Sequence, residues 1–263
     1  MDNLALIATI FYMLSGSLAV NILFNQAKPL YYWFIGCSII ALVTHALWLY
    51  QHIFLIDGQN LPMLNVVSLI GFVIAALSLS VSKRLNTGVL LPVVCAFNVL
   101  NFIAVVYLPS HYITHLEKQP AIGSHIIFAL LAYSVLTIAS LFALQLAYLD
   151  YRLKNHKRPL TQINLPPLMT MEKSLFQFVL IGFILLSCTL LTGFFFLEDM
   201  FVQGKAHKAF LSISAWIIYA TLLWGHYTKG WRGRPIVYVT IVGSSLLTLA
   251  YFGSRFVREI ILN

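Results

Sequence analysis

Long apolar runs, broken by short polar stretches, repeat along the whole chain, and inside them apolar and polar positions do not alternate strictly. Each run holds roughly 20 residues or more, enough for a helix rising 1.5 Å per residue to cross a hydrocarbon layer about 30 Å thick. A membrane-crossing segment must satisfy its own backbone hydrogen bonds, and without period-2 alternation a barrel strand is excluded, so helices are expected. The pattern predicts eight of them, over residues 4–24, 31–54, 62–82, 87–108, 122–149, 173–197, 207–227 and 235–257. The expected fold class is an all-α integral membrane protein, a single polytopic domain over residues 1–263 built as a bundle of about eight transmembrane helices. The first run has no basic segment before it and no small-residue cleavage site after it, so it is expected to be a retained helix and not a signal peptide.

Composition agrees. Of 263 residues, 60% are hydrophobic and 9% charged, which no water-soluble domain of this size hides in one core. The cations are unevenly placed. Lys28, Lys83, Arg84, Arg152, Lys154, Lys157, Arg158, Lys173, Lys229, Arg232 and Arg234 fall on one side of the predicted spans; Lys118, Lys205, Lys208, Arg255 and Arg258 fall on the other. The richer side is expected to be cytoplasmic, which puts both termini on the periplasmic side. The net charge of +8 is mostly this loop asymmetry, so the expected partner is the lipid bilayer and not nucleic acid. The longest polar stretch, residues 150–173, is basic and holds Pro159, Pro166 and Pro167; it reads as a cytoplasmic anchor between five spans and three. Cys37, Cys95 and Cys188 each lie inside a span and suggest neither a disulfide framework nor a metal clip.

Ionisable groups inside a bilayer are costly and mark functional candidates. No acidic residue lies in the middle of a span, which weakens any proton- or cation-coupled transporter reading. Histidines remain. His45 lies in the second span, His125 opens the fifth, His207 opens the seventh and His226 closes it, with His115 in the preceding outer loop. A histidine at a helix end also serves as an interfacial anchor or cap; that is the plainer reading for His52, His111 and His156, and a standing alternative for His226. Neutral imidazole is an axial ligand of haem iron, so His45, His115, His125 and His207 would form a haem b site on the outer side if their helices are neighbours. The outer cations Lys118, Lys205, Lys208, Arg255 and Arg258 would then hold the propionates. His226 lies at the opposite membrane edge and cannot share an iron with His125. Asn98 and Asn101 read as interhelical hydrogen-bonding residues, and Trp216, Trp224 and Trp231 as interface aromatics. No nucleophile–base pair, phosphate loop or zinc motif is visible, so no enzyme activity by side chains and no metal beyond haem iron is expected.

The stretches "PLMTMEKSLFQ", "LLWGHYTKGWRGR" and "LTLAYFGSRFV", supported by "YITHLE" and "LQLAYLDYRLKN", resemble the CcsA/CcmC/HemX superfamily of cytochrome c assembly membrane proteins, and within it the YpjD-type inner-membrane proteins. The likeness covers nearly the whole chain for the YpjD type and mainly residues 120–258 for the wider superfamily. It implies a bacterial inner-membrane location, an axial haem ligand on the outer face at His125, and a ligand to haem within the membrane at His226. A partner for His226 would then come from another membrane subunit, since this chain has no second histidine at that depth other than the loop residue His156. Two departures are plain. The Trp-rich segment that presents haem in assembly members is here "EDMFVQGKAHKAFLSISAW", without tryptophan before Trp216, and no histidine follows the last span. The resemblance therefore implies haem transport, sensing or accessory assembly more than ligation of haem to apocytochrome c. The alternatives are an accessory subunit or permease for inorganic ions with histidines along a polar path, and a scaffold without ligand.

Overall fold

Eight helices form where the apolar runs lie: α1 (Asn3–Asn25), α2 (Leu30–Ile53), α3 (Met63–Leu85), α4 (Leu90–Tyr107), α5 (Pro120–Lys154), α6 (Leu168–Phe196), α7 (Ala206–Lys229) and α8 (Arg234–Thr248). The computed structural model describes residues 3–25, 30–55, 58–85, 90–108, 111–154, 167–196 and 206–253. All eight helices are long and apolar enough to cross a membrane, α8 together with the π-turn Leu249–Gly253 that continues it. The fold class is the one the pattern predicts.

Differences of five residues from the predicted boundaries fall at the end of α5 and the start of α6, and both have a local cause; the predicted end of the last span, 257, lies outside the described residues. α5 opens on Pro120, whose missing N–H and fixed φ suit a first helical position. It then runs 35 residues, about 52 Å, well beyond a hydrocarbon layer of roughly 30 Å. Its far end is polar and is supported by Lys154 Nζ donating to Asp150 Oδ2 at 2.9 Å. Hydropathy reports only the part that suits lipid, so 122–149 was too short. α6 starts at Leu168 and not at 173, because Pro167 closes its first turn by accepting the Thr170 N–H at 3.0 Å. Thr170, Glu172 and Lys173 make that turn polar, which hides it from a hydropathy reading.

The chain divides into two compact units: Met1–Thr114 with Leu149–Thr170, and His115–Tyr148 with Met171–Asn263. In the first unit α1 packs on α2 and α4, and α3 packs on α2 and α4, closing a ring of four helices. Its interior is polar at several points. Ser15 Oγ meets Ser38 Oγ at 2.6 Å and accepts from Cys95 Sγ at 3.7 Å; Asn98 Nδ2 donates to Gly71 O at 3.3 Å, as an interhelical residue was expected to do. A small antiparallel sheet, not foreseen, ties two loops of this unit together: β1 (Phe54–Leu55), β2 (Gly58–Asn60) and β3 (Ile113–Thr114) pair in that order, Phe54 with Gln59 and Gln59 with Thr114. Strands of two or three residues carry no readable periodicity. Asn60 Oδ1 reinforces the sheet by accepting the Tyr112 N–H at 2.9 Å.

The second unit is also a ring. Leu136 of α5 lies on Gly182 of α6, and Phe142 stacks on Phe178 at 5.4 Å. α6 meets α7 through Phe183 and Trp216, stacked at 5.4 Å, and through Trp216 Nε1 donating to Ser187 Oγ at 2.8 Å. Trp216 is therefore a mid-helix packing residue and not an interface aromatic, a correction to its predicted place. The Tyr219 ring of α7 packs on Gly243 of α8 and its hydroxyl donates to Thr240 O at 3.4 Å. Tyr133 of α5 closes the circle with its hydroxyl 3.0 Å from Thr248 Oγ1 and its ring stacked on Tyr251 of the π-turn at 5.7 Å.

Candidate functional site

An uncharged imidazole carries one ring proton, so the partner of one nitrogen decides whether the other offers a lone pair. This test separates the candidate histidines. His125, half-buried in the first turns of α5, sets Nδ1 3.2 Å from Thr192 Oγ1 near the end of α6. The Thr192 hydroxyl is also 2.8 Å from Cys188 O and 3.0 Å from Thr189 O, and a carbonyl can only accept. The hydroxyl proton therefore goes to its own helix, and the imidazole donates from Nδ1. Nε2 is left as the lone-pair nitrogen.

His226 reaches the same state by another route. α7 ends at Gly230, whose φ of 63° is the left-handed conformation in which its N–H caps His226 O at 3.2 Å. The chain then turns back so that the Trp231 N–H bonds Gly225 O at 3.1 Å, and the Trp231 indole covers Gly225, where a side chain would overlap it. That turn delivers Trp231 O to within 3.3 Å of His226 Nδ1, and the carbonyl again fixes the proton on Nδ1. The imidazole stacks on Phe176 of α6 with centroids 3.4 Å apart and planes 16° from parallel. No hydrogen bond engages its Nε2 among the described residues.

His45 is different, and its expected role as an iron ligand needs correcting. It is fully buried in the first unit, with Nδ1 2.9 Å from the Tyr12 hydroxyl and Nε2 2.9 Å from Ser68 Oγ. Both nitrogens are spent on hydroxyls of neighbouring helices, which leaves none for iron. His115, exposed, has Nδ1 3.1 Å from Glu117 Oε1; a carboxylate oxygen accepts, so here too Nε2 carries the lone pair. His207 is exposed at the second position of α7. Among the described residues no ring contact joins two histidines, and no three His, Cys, Asp or Glu side chains gather as a metal group. Of the predicted propionate partners, Lys118 is exposed in the turn before α5 and Lys208 is half-buried in the first turn of α7. Lys205, Arg255 and Arg258 lie outside the described residues.

His125 and His226 mark opposite ends of the second unit. They touch α6 at Thr192 and Phe176, 16 residues apart on one helix, which is about 24 Å. One iron cannot bind both. Thr192, Phe176, Gly225 and Trp231 were not foreseen as supports of these rings. The Gly225–His226 and Gly230–Trp231 pairs of "LLWGHYTKGWRGR" are a readable sign of a capped helix end, whereas Thr192 is far from His125 in sequence and carries no local signal.

Residues 33–262 match the family described as Cytochrome C assembly protein. The chain belongs to that family. It is 44% identical to the inner membrane protein YpjD of Escherichia coli strain K12 over 264 residues, covering 99% of this chain and 100% of the relative, and equally similar to the protein of that name in strain O157:H7. An uncharacterized 28.8 kDa protein in the nifR3-like 5'region of Azospirillum brasilense is 32% identical over 145 residues, 54% of this chain and 53% of that one. No solved structure matches. The family match includes His45, His115, His125, His207 and His226 and starts after α1.

Proposed function

We propose that this member of the cytochrome c assembly family is a non-catalytic haem-handling protein of the bacterial inner membrane, working in haem transport, sensing or accessory assembly. The observation that carries this reading is the state of two imidazoles. His125 and His226 each commit Nδ1–H to an oxygen acceptor held by a neighbouring helix or turn, which is the second-sphere arrangement that orients a histidine and leaves Nε2 for a metal. The donor set thus fits haem iron at either end of the second unit. Bound haem b would supply a redox-active iron that an imidazole nitrogen can ligate.

The chain's own residues do the rest. Thr192 and Trp231 hold the tautomers. Phe176 fixes the plane of His226 from one face. By the cation bias the His226 end is read as cytoplasmic and the His125 end as periplasmic, with both termini periplasmic. Lys118 and Lys208 stand at the ends of the elements flanking the His125 end and are suited to propionates. His115 and His207 remain the candidates for a second outer ligand, and another membrane subunit for a second inner one.

The test is spectroscopic. Protein purified in detergent is expected to show a Soret band that moves on reduction and to yield haem b on pyridine extraction. His125→Ala should remove one component and His226→Ala the other, the double variant being colourless. A colourless wild-type protein that also takes up no haem on titration would refute the reading.

A further inference from the structure

The interior of the first unit has a hydrogen left over. Tyr12 OH, His45 and Ser68 OH form a three-member chain through two contacts, each 2.9 Å, across α1, α2 and α3. With an uncharged imidazole the chain holds three polar hydrogens, and two contacts use only two. A charged ring would leave both hydroxyl hydrogens unused and bury an unpaired cation, which is worse. One hydroxyl hydrogen therefore needs an acceptor. Ser68 does not return it to its own helix, although Ser38 and Thr44 on α2 do so, to Phe34 O and Ile40 O at 2.8 Å each.

An acceptor in need of a donor stands close by. Asn98 of α4 is fully buried, and its Nδ2 is used on Gly71 O at 3.3 Å and Val94 O at 3.0 Å, but its Oδ1 has no partner. That oxygen lies against Gly71, 2.5 Å from where a side-chain carbon would begin. Ser68 is one turn from Gly71 on the same helix, and α3 and α4 run antiparallel, so Asn101, one turn beyond Asn98, comes level with Ser68. Asn101 is 5% exposed and neither of its amide atoms has a partner. A serine hydroxyl whose hydrogen is spare when His45 donates from Nε2, an orphan carbonyl acceptor and an unused carboxamide thus occupy one stretch of about one turn between two helices.

We infer that this stretch is a binding site for internal water, bridging Ser68 Oγ, Asn98 Oδ1 and the Asn101 amide. Water is the ligand whose chemistry fits: it accepts one hydrogen, donates two, carries no charge, and is held when two to four polar groups surround it. The bridge makes the chain run Tyr12 OH to His45 Nδ1, His45 Nε2–H to Ser68 Oγ, and Ser68 O–H to the water, with every donor matched. It joins all four helices of the unit. α1, which lies ahead of the family match, enters this network through Tyr12. His45 is then the centre of a hydrated polar node that fixes the helices of this unit, and the inference does not depend on haem.

Solid-state NMR on the protein in bilayers, with 15N-labelled histidine, tests it. The His45 resonances, identified by their loss in His45→Gln, should show the Nε2–H tautomer and magnetisation transfer from water. Asn98→Leu should abolish the transfer; Ser68→Thr, which keeps the hydroxyl, should retain it. In unfolding equilibria Ser68→Ala and Asn98→Leu should be coupled, the double variant falling at least about fivefold short of the product of the single effects, because either change alone empties the bridge. A dry His45, the opposite tautomer, or single effects that multiply to within about twofold would each overturn the assignment.

Discussion

The indole of Trp231 lies directly on the backbone of Gly225, in the space a β-carbon would occupy, and the same residue's carbonyl holds the ring of His226. Gly225 is helical, so its role here is the close approach and not its freedom in φ. Gly225→Ala should push the indole away, move Trp231 O off His226 Nδ1 and free the imidazole to rotate. The expected cost is about 1–3 kcal/mol in unfolding. Haem bound at the His226 end should weaken by about 10–100-fold, as is usual when a support of a metal ligand is lost. Thermal unfolding and haem titration of the variant check both. Unchanged binding would show that Trp231 does not orient the ring.

His45 gives the opposite expectation. His45→Leu leaves the Tyr12 and Ser68 hydroxyls buried without their partner, at about 1–3 kcal/mol for each such group. Tyr12→Phe removes one hydrogen bond and should cost about 1 kcal/mol. Neither change should alter the haem bound per folded molecule, since neither nitrogen of His45 is open to iron. Chemical denaturation followed by far-UV circular dichroism, with the Soret absorbance of the folded fraction, separates stability from binding.

The contrast between His45 and the other two histidines shows where the sequence was legible. The eight helices followed from hydropathy because lipid demands long apolar segments, whatever their neighbours. The candidate histidines were visible for the same reason, as polar residues at the ends or within such segments. Their chemistry was not. Whether an imidazole has a free nitrogen depends on residues such as Ser68, 23 positions from His45, and Thr192, 67 positions from His125. No local pattern encodes such pairings. His226 was the partial exception, because Gly230 and Trp231 lie close enough in sequence to build its support from one helix end.

Gly182 of α6 receives the side chain of Leu136 from α5, and a β-carbon there would stand 2.5 Å from Leu136 Cγ. Both residues are in the part of the second unit that sets the register of α5 against α6, and so of His125 against Thr192. Gly182→Ala should destabilise by about 1–3 kcal/mol, because Leu136 is fully buried and has little room to move. Gly182→Ala combined with Leu136→Ala should recover part of this loss. Thermal unfolding of the two variants decides whether helix contact or an unrelated effect is responsible.

Thr192 offers the sharpest test of the His125 assignment. Its hydroxyl donates within α6 and accepts from Nδ1, so it specifies which nitrogen faces outward from that contact. Thr192→Val keeps the shape and removes the acceptor; Thr192→Ser keeps the acceptor and removes a methyl. If His125 Nε2 binds iron, the valine variant should lose about 10–100-fold in haem affinity at the His125 end. The serine variant should stay close to the parent protein. Both should be measured in a His226→Ala background, so that one site alone contributes to the Soret change. A methyl-dependent effect, with serine as damaging as valine, would mean that Thr192 acts by packing and that the tautomer of His125 is set elsewhere. Equal loss in unfolding stability with unchanged affinity would remove His125 from the ligand set altogether.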